Sequence, residues 1–214
     1  MLAVDLAQGY HHVTIHPRDR KFLGFHWQNQ YYVFNVLPFG LKSAPRIFTK
    51  VVLLLARSWR ADGIRVLIYL DDWLILARPH EVNRIRERIL ANCRAAHVAI
   101  NWAKSSLTGV TCLTHLGVVV DLQLNRFKVP PSKQVSIRAA IRELLRKGRS
   151  TARQLASVAG KIAALRLAIG PLTALFCRSL HRDIERASSW SEMITLQPDT
   201  SERGLAVLVA QRLV

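Results

Sequence analysis

An α+β fold that passes into an all-helical segment is what this 214-residue sequence predicts, on three observations. Short branched and aromatic runs, separated by turn residues, fill most of the first 130 positions, and such runs form strands. Two longer stretches among them repeat apolar residues every three or four positions, the period of an amphipathic helix. After Pro130-Pro131 the strand-like runs stop and the helical period alone continues. The expected domains are therefore mixed over 1–130 and helical over 131–182, with a more polar tail over 183–214.

The elements follow in order. Leu2-Ala3-Val4-Asp5 reads as a short buried strand, and His12-Val13-Thr14-Ile15, after a turn at Gln8-Gly9, as a second extended piece. Phe22 to Phe25 and Tyr31 to Val36 flank Gln28-Asn29-Gln30, a hairpin signal. Pro45 suits the first turn of a helix, where its missing N–H costs nothing. Phe48, Val51, Val52, Leu55 and Trp59 mark the apolar face of that helix and Gly63 its end. Val66 to Leu76 is apolar on both sides of Asp71-Asp72, as two strands meeting at two aspartates would be. Val82, Ile85, Ile89, Cys93 and Ala96 mark a second helix whose polar face is rich in arginine. His115 to Val120 and Phe127 to Val129 read as a hairpin around Gln123-Leu124-Asn125. Ser132 is placed to cap a helix running to Gly148, and Ser150 one running to Gly170-Pro171.

Half of the chain is hydrophobic and 21% is charged, which supplies a core and excludes a disordered basic tail. No apolar run reaches the roughly 18–20 residues of a membrane span, and Met1 to Asp5 is no signal peptide, so no membrane partner is expected. Cys93, Cys112 and Cys177 form no C-x-x-C pair and sit among apolar residues. Buried free thiols in a reducing intracellular compartment, cytoplasm or nucleus, are expected. The net charge is +17, and residues 122–182 carry thirteen Lys or Arg against one acid, Glu143. A field of that kind suits a polyanion, with nucleic acid the default and a merely solvated face the alternative. Arg138, Arg142, Arg146, Arg149 and Arg153 recur every three or four residues, a stripe able to track phosphates without reading sequence. The eight histidines show no ligand spacing and read as structural or surface residues.

Three carboxylates stand out. Asp5 ends one apolar strand, and Asp71 and Asp72 lie where two others turn. Ionised carboxylates in such surroundings are costly, and neighbouring ones repel. A divalent metal relieves both effects, and hard oxygen ligands suit Mg²⁺. A hairpin cap is the alternative, since Asp is common in turns. If Asp5 lies on the neighbouring strand, the three converge, an arrangement suited to two-metal phosphoryl transfer or to a metal-dependent nuclease.

At these residues the sequence resembles reverse transcriptases. Tyr69-Leu70-Asp71-Asp72 is similar to their Y-x-D-D box, and Asp5-Leu6-Ala7-Gln8-Gly9-Tyr10 to their first catalytic motif, with Gly9 in place of the usual Ala. Leu37-Pro38-Phe39-Gly40-Leu41-Lys42-Ser43-Ala44-Pro45 is similar to their L-P-x-G-x-x-x-x-P motif. The likeness spans about residues 2–182 and, through His11 to Pro17, Lys21 to Phe25 and Phe48-Thr49-Lys50, looks most like the DIRS-type branch of LTR-type retrotransposons.

The resemblance implies a right-hand polymerase: a palm with partial fingers near 18–37, a primer-grip hairpin near 113–130 and a helical thumb beyond Pro131. It implies that Asp5, Asp71 and Asp72 hold two Mg²⁺ ions, with Mn²⁺ a substitute, while a primer 3′-OH attacks a dNTP on an RNA or DNA template. Tyr10 would be the steric gate against ribose, with plain core packing as the alternative. Phe39, Gly40 and Tyr69 would line the dNTP pocket. Lys104 would protonate pyrophosphate, unless it is only a surface charge. His115, Leu116 and Gly117 would grip the primer, and the arginine stripe would follow the duplex. The first motif lies almost at the start of the sequence, and by this resemblance the family's N-terminal fingers and a complete RNase H domain are expected to be missing from it. It is therefore expected to be an impaired fragment of a longer protein with a fused RNase H domain. A catalytically dead, basic nucleic-acid-binding remnant is the alternative.

Overall fold

The computed structural model describes residues 1–196, and the chain divides into two compact units, Met1–Thr111 and Cys112–Val214. In chain order the first unit holds strands β1 (Leu2–Asp5), β2 (Gly24–Trp27) and β3 (Gln30–Val33), then helix α1 (Ala44–Ala61). Strands β4 (Arg65–Tyr69) and β5 (Asp72–Leu76) and helix α2 (Val82–Ala95) follow. Strands β1, β5 and β4 pair antiparallel in that order, so the hairpin β4–β5 lends its second strand to β1.

Alternation along these strands sends Leu2, Val4, Val66, Trp73 and Ile75 into one buried cluster with Phe48, Val52 and Trp59 of α1 and Ile85, Ile89 and Cys93 of α2. Trp59 and Trp73 meet edge to face at 5.4 Å. Each buried indole N–H is satisfied: Trp59 donates to Asn92 Oδ1 at 2.8 Å and Trp73 to the Leu70 carbonyl at 2.9 Å. Burial pushes the Cys93 thiol up to about 11, as befits a core group. On α1 the buried stripe is Ala44, Phe48, Val52, Ala56 and Trp59. Val51, expected on that face, is exposed, because a step of three residues from Phe48 carries it past the edge of the stripe.

Two local expectations change here. His12 to Ile15 is not a strand: Gly9–His12 forms a 3₁₀ turn, and only Thr14 bridges to Val36. The aromatic hairpin is present, its two-residue turn Gln28-Asn29 having positive φ at both positions (45° and 59°), as a type I′ turn demands. Every residue of β2 and β3 is exposed, and the ribbon is braced by its own cross-strand pair, Phe25 stacked on Tyr32 at 5.4 Å.

The second unit opens with the antiparallel sheet β6 (Cys112–His115), β7 (Val118–Asp121) and β8 (Arg126–Lys128). It continues through α3 (Pro131–Lys147), β9 (Arg149–Thr151), α4 (Ala152–Ala163), α5 (Arg166–Ile169), α6 (Leu172–Arg186) and β10 (Met193–Thr195), which pairs with β9. Ile137 and Ile141 of α3, Val158 and Ile162 of α4, Leu165 and Cys177 share its core. Helix α3 begins at Pro131 rather than at a Ser132 cap, since proline needs no N–H partner in the first turn. Thr151, not Ser150, caps α4, through a capping box with Gln154. The single helix expected from Ser150 to Gly170 is broken, because Leu165 (φ −89°, ψ 4°) leaves helical geometry between α4 and α5. Cys112 is exposed, contrary to the expected burial, because it starts an edge strand. Part of the expected polar tail is structured, as the ends of α6 and β10, and residues 197–214 lie outside the described residues.

Candidate active site

Register assembles the carboxylates. Asp5 on β1 lies opposite Asp72 on β5, and Asp72 lies opposite Tyr69 on β4. Directly opposed residues of antiparallel strands share a face, so Tyr69, Asp72 and Asp5 form one row across the sheet, on the face away from Val4 and Trp73. Asp71 occupies the two-residue turn with Leu70, whose φ of 53° is left-handed and costs a residue with a Cβ about 1–2 kcal/mol. Two contacts hold that turn: the buried Trp73 indole donates to the Leu70 carbonyl, and the Leu6 N–H donates to the Asp71 carbonyl at 3.1 Å.

Asp5 and Asp72 are half-buried and Asp71 is exposed. Among the described residues, the Asp5 and Asp71 carboxylates have no cationic partner. Unneutralised, all-oxygen donors of this kind fit a hard divalent cation. Among the described residues, no group of three His, Cys, Asp or Glu side chains is arranged to hold an ion in this structure. What the register supplies is an opposed pair with a third carboxylate in the adjoining turn.

A segment that the sequence left unassigned fixes Asp5. The Asp5 N–H donates to Ser105 Oγ at 3.0 Å, the Ser105 hydroxyl donates to the Asn101 carbonyl at 2.7 Å, and the Asn101 N–H donates to the Asp5 carbonyl at 2.8 Å. Ala3 and Ser106 exchange both backbone hydrogen bonds at 2.8 Å, so residues 101–106 bind the main chain of β1. Lys104 lies exposed in this turn, with no ion pair from its Nζ among the described residues. His12 ties the same region together. Its Nδ1–H donates to the Gly9 carbonyl at 2.9 Å while its Nε2 accepts from the Ala99 N–H at 2.8 Å, which requires the neutral ring.

Tyr10, half-buried, packs edge-on against Phe48 (5.4 Å) and beside Phe39 (5.0 Å), which is 66% exposed. It thus joins the core to the one exposed aromatic of the L-P-x-G segment. Gly40 needs its glycine for conformation (φ 86°) rather than for crowding, since an added Cβ would meet nothing within 4 Å. At Gly9 an added Cβ would lie 2.9 Å from the buried Phe48 ring and 3.4 Å from Asp71 Cβ, so the missing side chain lets the Asp5–Tyr10 segment close against Asp71.

The family model for reverse transcriptase (RNA-dependent DNA polymerase) matches residues 1–120, more than half of the chain. The chain belongs to the reverse transcriptase family. It is 32% identical over 77 residues to the genome polyprotein of Petunia vein clearing virus, covering 36% of this chain and 3% of that protein. It is 27% identical over 146 residues to the retrovirus-related Pol polyprotein from transposon opus of Drosophila melanogaster, covering 67% of this chain and 14% of the polyprotein. The chain thus spans only a small part of the curated relatives it matches. The fold is shared with the foamy viral protease-reverse transcriptase solved with an RNA/DNA hybrid, at a TM-score of 0.77, 19% identity, 99% of this chain and 27% of that one. The same protein in a dRH form with double-stranded DNA gives a TM-score of 0.78 at 19% identity, over 99% of this chain and 34% of that one. The α+β polymerase fold expected from the sequence is the fold found.

In the second unit, His115 ends β6 and a two-residue turn, Leu116-Gly117, has positive φ at both positions (47° and 76°). Lys133 Nζ of α3 donates to the Gly117 carbonyl at 2.8 Å, and a Cβ on residue 117 would run into that lysine. Leu116 is left exposed at the tip. The five arginines do not form one stripe. Arg138 is half-buried on α3, Arg142 and Arg146 are exposed there, Arg149 is on β9 and Arg153 is on α4. Gly148 (φ 64°) ends α3 and redirects the chain between the third and fourth of them.

Proposed function

We propose that this chain is the polymerase segment of an RNA-directed DNA polymerase that adds dNTPs to a primer 3′-OH on an RNA or DNA template. One observation carries the proposal: the register that opposes Asp5 and Asp72 in a row with Tyr69, with Asp71 in the adjoining turn. Asp5, Asp71 and Asp72 would hold Mg²⁺, or Mn²⁺ in its place; bound there, the metal offsets charge on the attacking and leaving oxygens. The rest is positioning, which is most of what phosphoryl transfer asks of a protein. Tyr10, between Phe39 and Phe48, would exclude a ribose 2′-OH by bulk. Phe39, Gly40 and Tyr69 would line the dNTP site, and Lys104 would supply the proton to pyrophosphate. The hairpin at His115, Leu116 and Gly117 would support the primer strand. Arg138, Arg142, Arg146, Arg149 and Arg153 would meet duplex phosphates. Motif wording favours a DIRS-type element whose full-length protein carries a fused RNase H domain.

Primer extension with Mg²⁺ tests this. Asp71→Asn is expected to lower extension by about 10²–10³-fold, the scale of losing one electrostatic stabiliser, with duplex affinity unchanged or tighter. An unmodified chain that binds duplex without extending it would be the nucleic-acid-binding remnant. Cleaved rather than lengthened strands would make it a nuclease.

A further inference from the structure

The arginine-rich face of α2 has no part in the carboxylate row, yet it borders a cavity of about 350 Å³ lined by Arg65, Arg78, Arg84, Asp62 and Glu81. Arg65 opens β4 and its register partner Leu76 closes β5. Four residue steps, about 13 Å, therefore separate this end of the hairpin from Tyr69 and Asp72. Both acids are already engaged. Asp62 Oδ2 accepts from Arg88 at 2.9 and 3.1 Å, and Glu81 accepts from Arg84 at 3.3 Å. Arg65 and Arg78 have no carboxylate partner among the described residues. Two unbalanced guanidinium groups, both on exposed side chains, thus line one cavity.

Like charges around one cavity repel, and an anion turns that repulsion into attraction. A carboxylate has two oxygens, enough for one guanidinium fork. A phosphate has more, and can meet two forks together. We propose that this cavity binds a phosphate group, at a site separate from the carboxylate row. The phosphate can belong to a small molecule such as pyrophosphate or to a nucleic-acid backbone, and the two sources respond differently to the same variants.

The test compares the 214-residue chain with Arg65→Gln/Arg78→Gln and with Arg57→Gln/Arg94→Gln, which removes the same charge outside the cavity; all four arginines are exposed, so the pairs differ only in lining it. Pyrophosphate is titrated calorimetrically, and duplex affinity is measured across a salt series. Saturable pyrophosphate binding, weakened tenfold or more only by the cavity pair, assigns a small phosphate ligand. Absent pyrophosphate binding, a salt slope for duplex lowered by about one to two only by the cavity pair assigns a backbone phosphate. Equal losses from both pairs, or none from the cavity pair, overturn the site. Circular dichroism of each variant checks that the fold is retained.

Discussion

The Ser105 hydroxyl works twice, accepting the Asp5 N–H and donating to the Asn101 carbonyl, whose own N–H returns to Asp5. Under the proposed function the Asp5 carboxylate meets reacting groups and depends on the main chain that carries it, which would make Ser105 a positioning residue. Ser105→Ala is expected to lower kcat of primer extension about tenfold while leaving KM for dNTP unchanged. Its stability loss should be about 1 kcal/mol, the net value of one hydrogen bond. Ser105→Thr, which keeps the hydroxyl, should restore the rate. A slower Thr variant with an unchanged Ala variant would make the hydroxyl irrelevant to catalysis. None of this could be read from a serine beside a lysine, because its partner lies one hundred residues earlier. Asp5, Asp71 and Asp72 were legible, since charged residues closing apolar strands are conspicuous at any distance.

At the scale of elements, hairpins were the most legible features. Alternating residues and short polar turns specify β2–β3 and β7–β8 locally. The third strand β6 was missed because the turn that separates it from β7 uses Leu116, a residue with no turn signature, at positive φ. In β7–β8 an interaction across the hairpin adds a pH dependence. The hydrogen bond from Lys128, then that from the Leu124 N–H, holds the Asp121 carboxyl below its usual range. A folded-state value below the unfolded one means that the stabilisation is complete above the ordinary carboxylate pKa of about 3.9. It fades as pH falls through the lower folded value. Thermal melting followed from pH 7 down to about pH 2 should show this loss in the second unit, and Asp121→Asn should flatten that part of the profile. An Asn variant with an unchanged acid limb would show that other carboxylates carry it.

Over the whole molecule, charge is the dominant property. Thirty-one basic residues against fourteen acids attract polyanions whatever their sequence. If about six phosphates are contacted, duplex affinity should fall about a thousandfold between 50 and 200 mM salt, with little difference between duplexes of different sequence. Filter binding across that range checks both statements, and a flat salt response would remove backbone contacts as the basis of affinity.

The amino-acid order by itself determined the fold class, the two carboxylate-bearing strand ends and the basic character, because periodicity, charge and motif spacing are local or additive properties. Only the tertiary structure decided that Asp72 faces Asp5, that Asp71 stays in the turn rather than in the row, and that residues 101–106 clamp β1. It also separated the five arginines onto three elements and set Arg65 and Arg78 around one cavity. The reason is physical: strand register and helix ends are settled by which distant apolar faces bury together, and a one-residue slip in register moves every side chain to the opposite face.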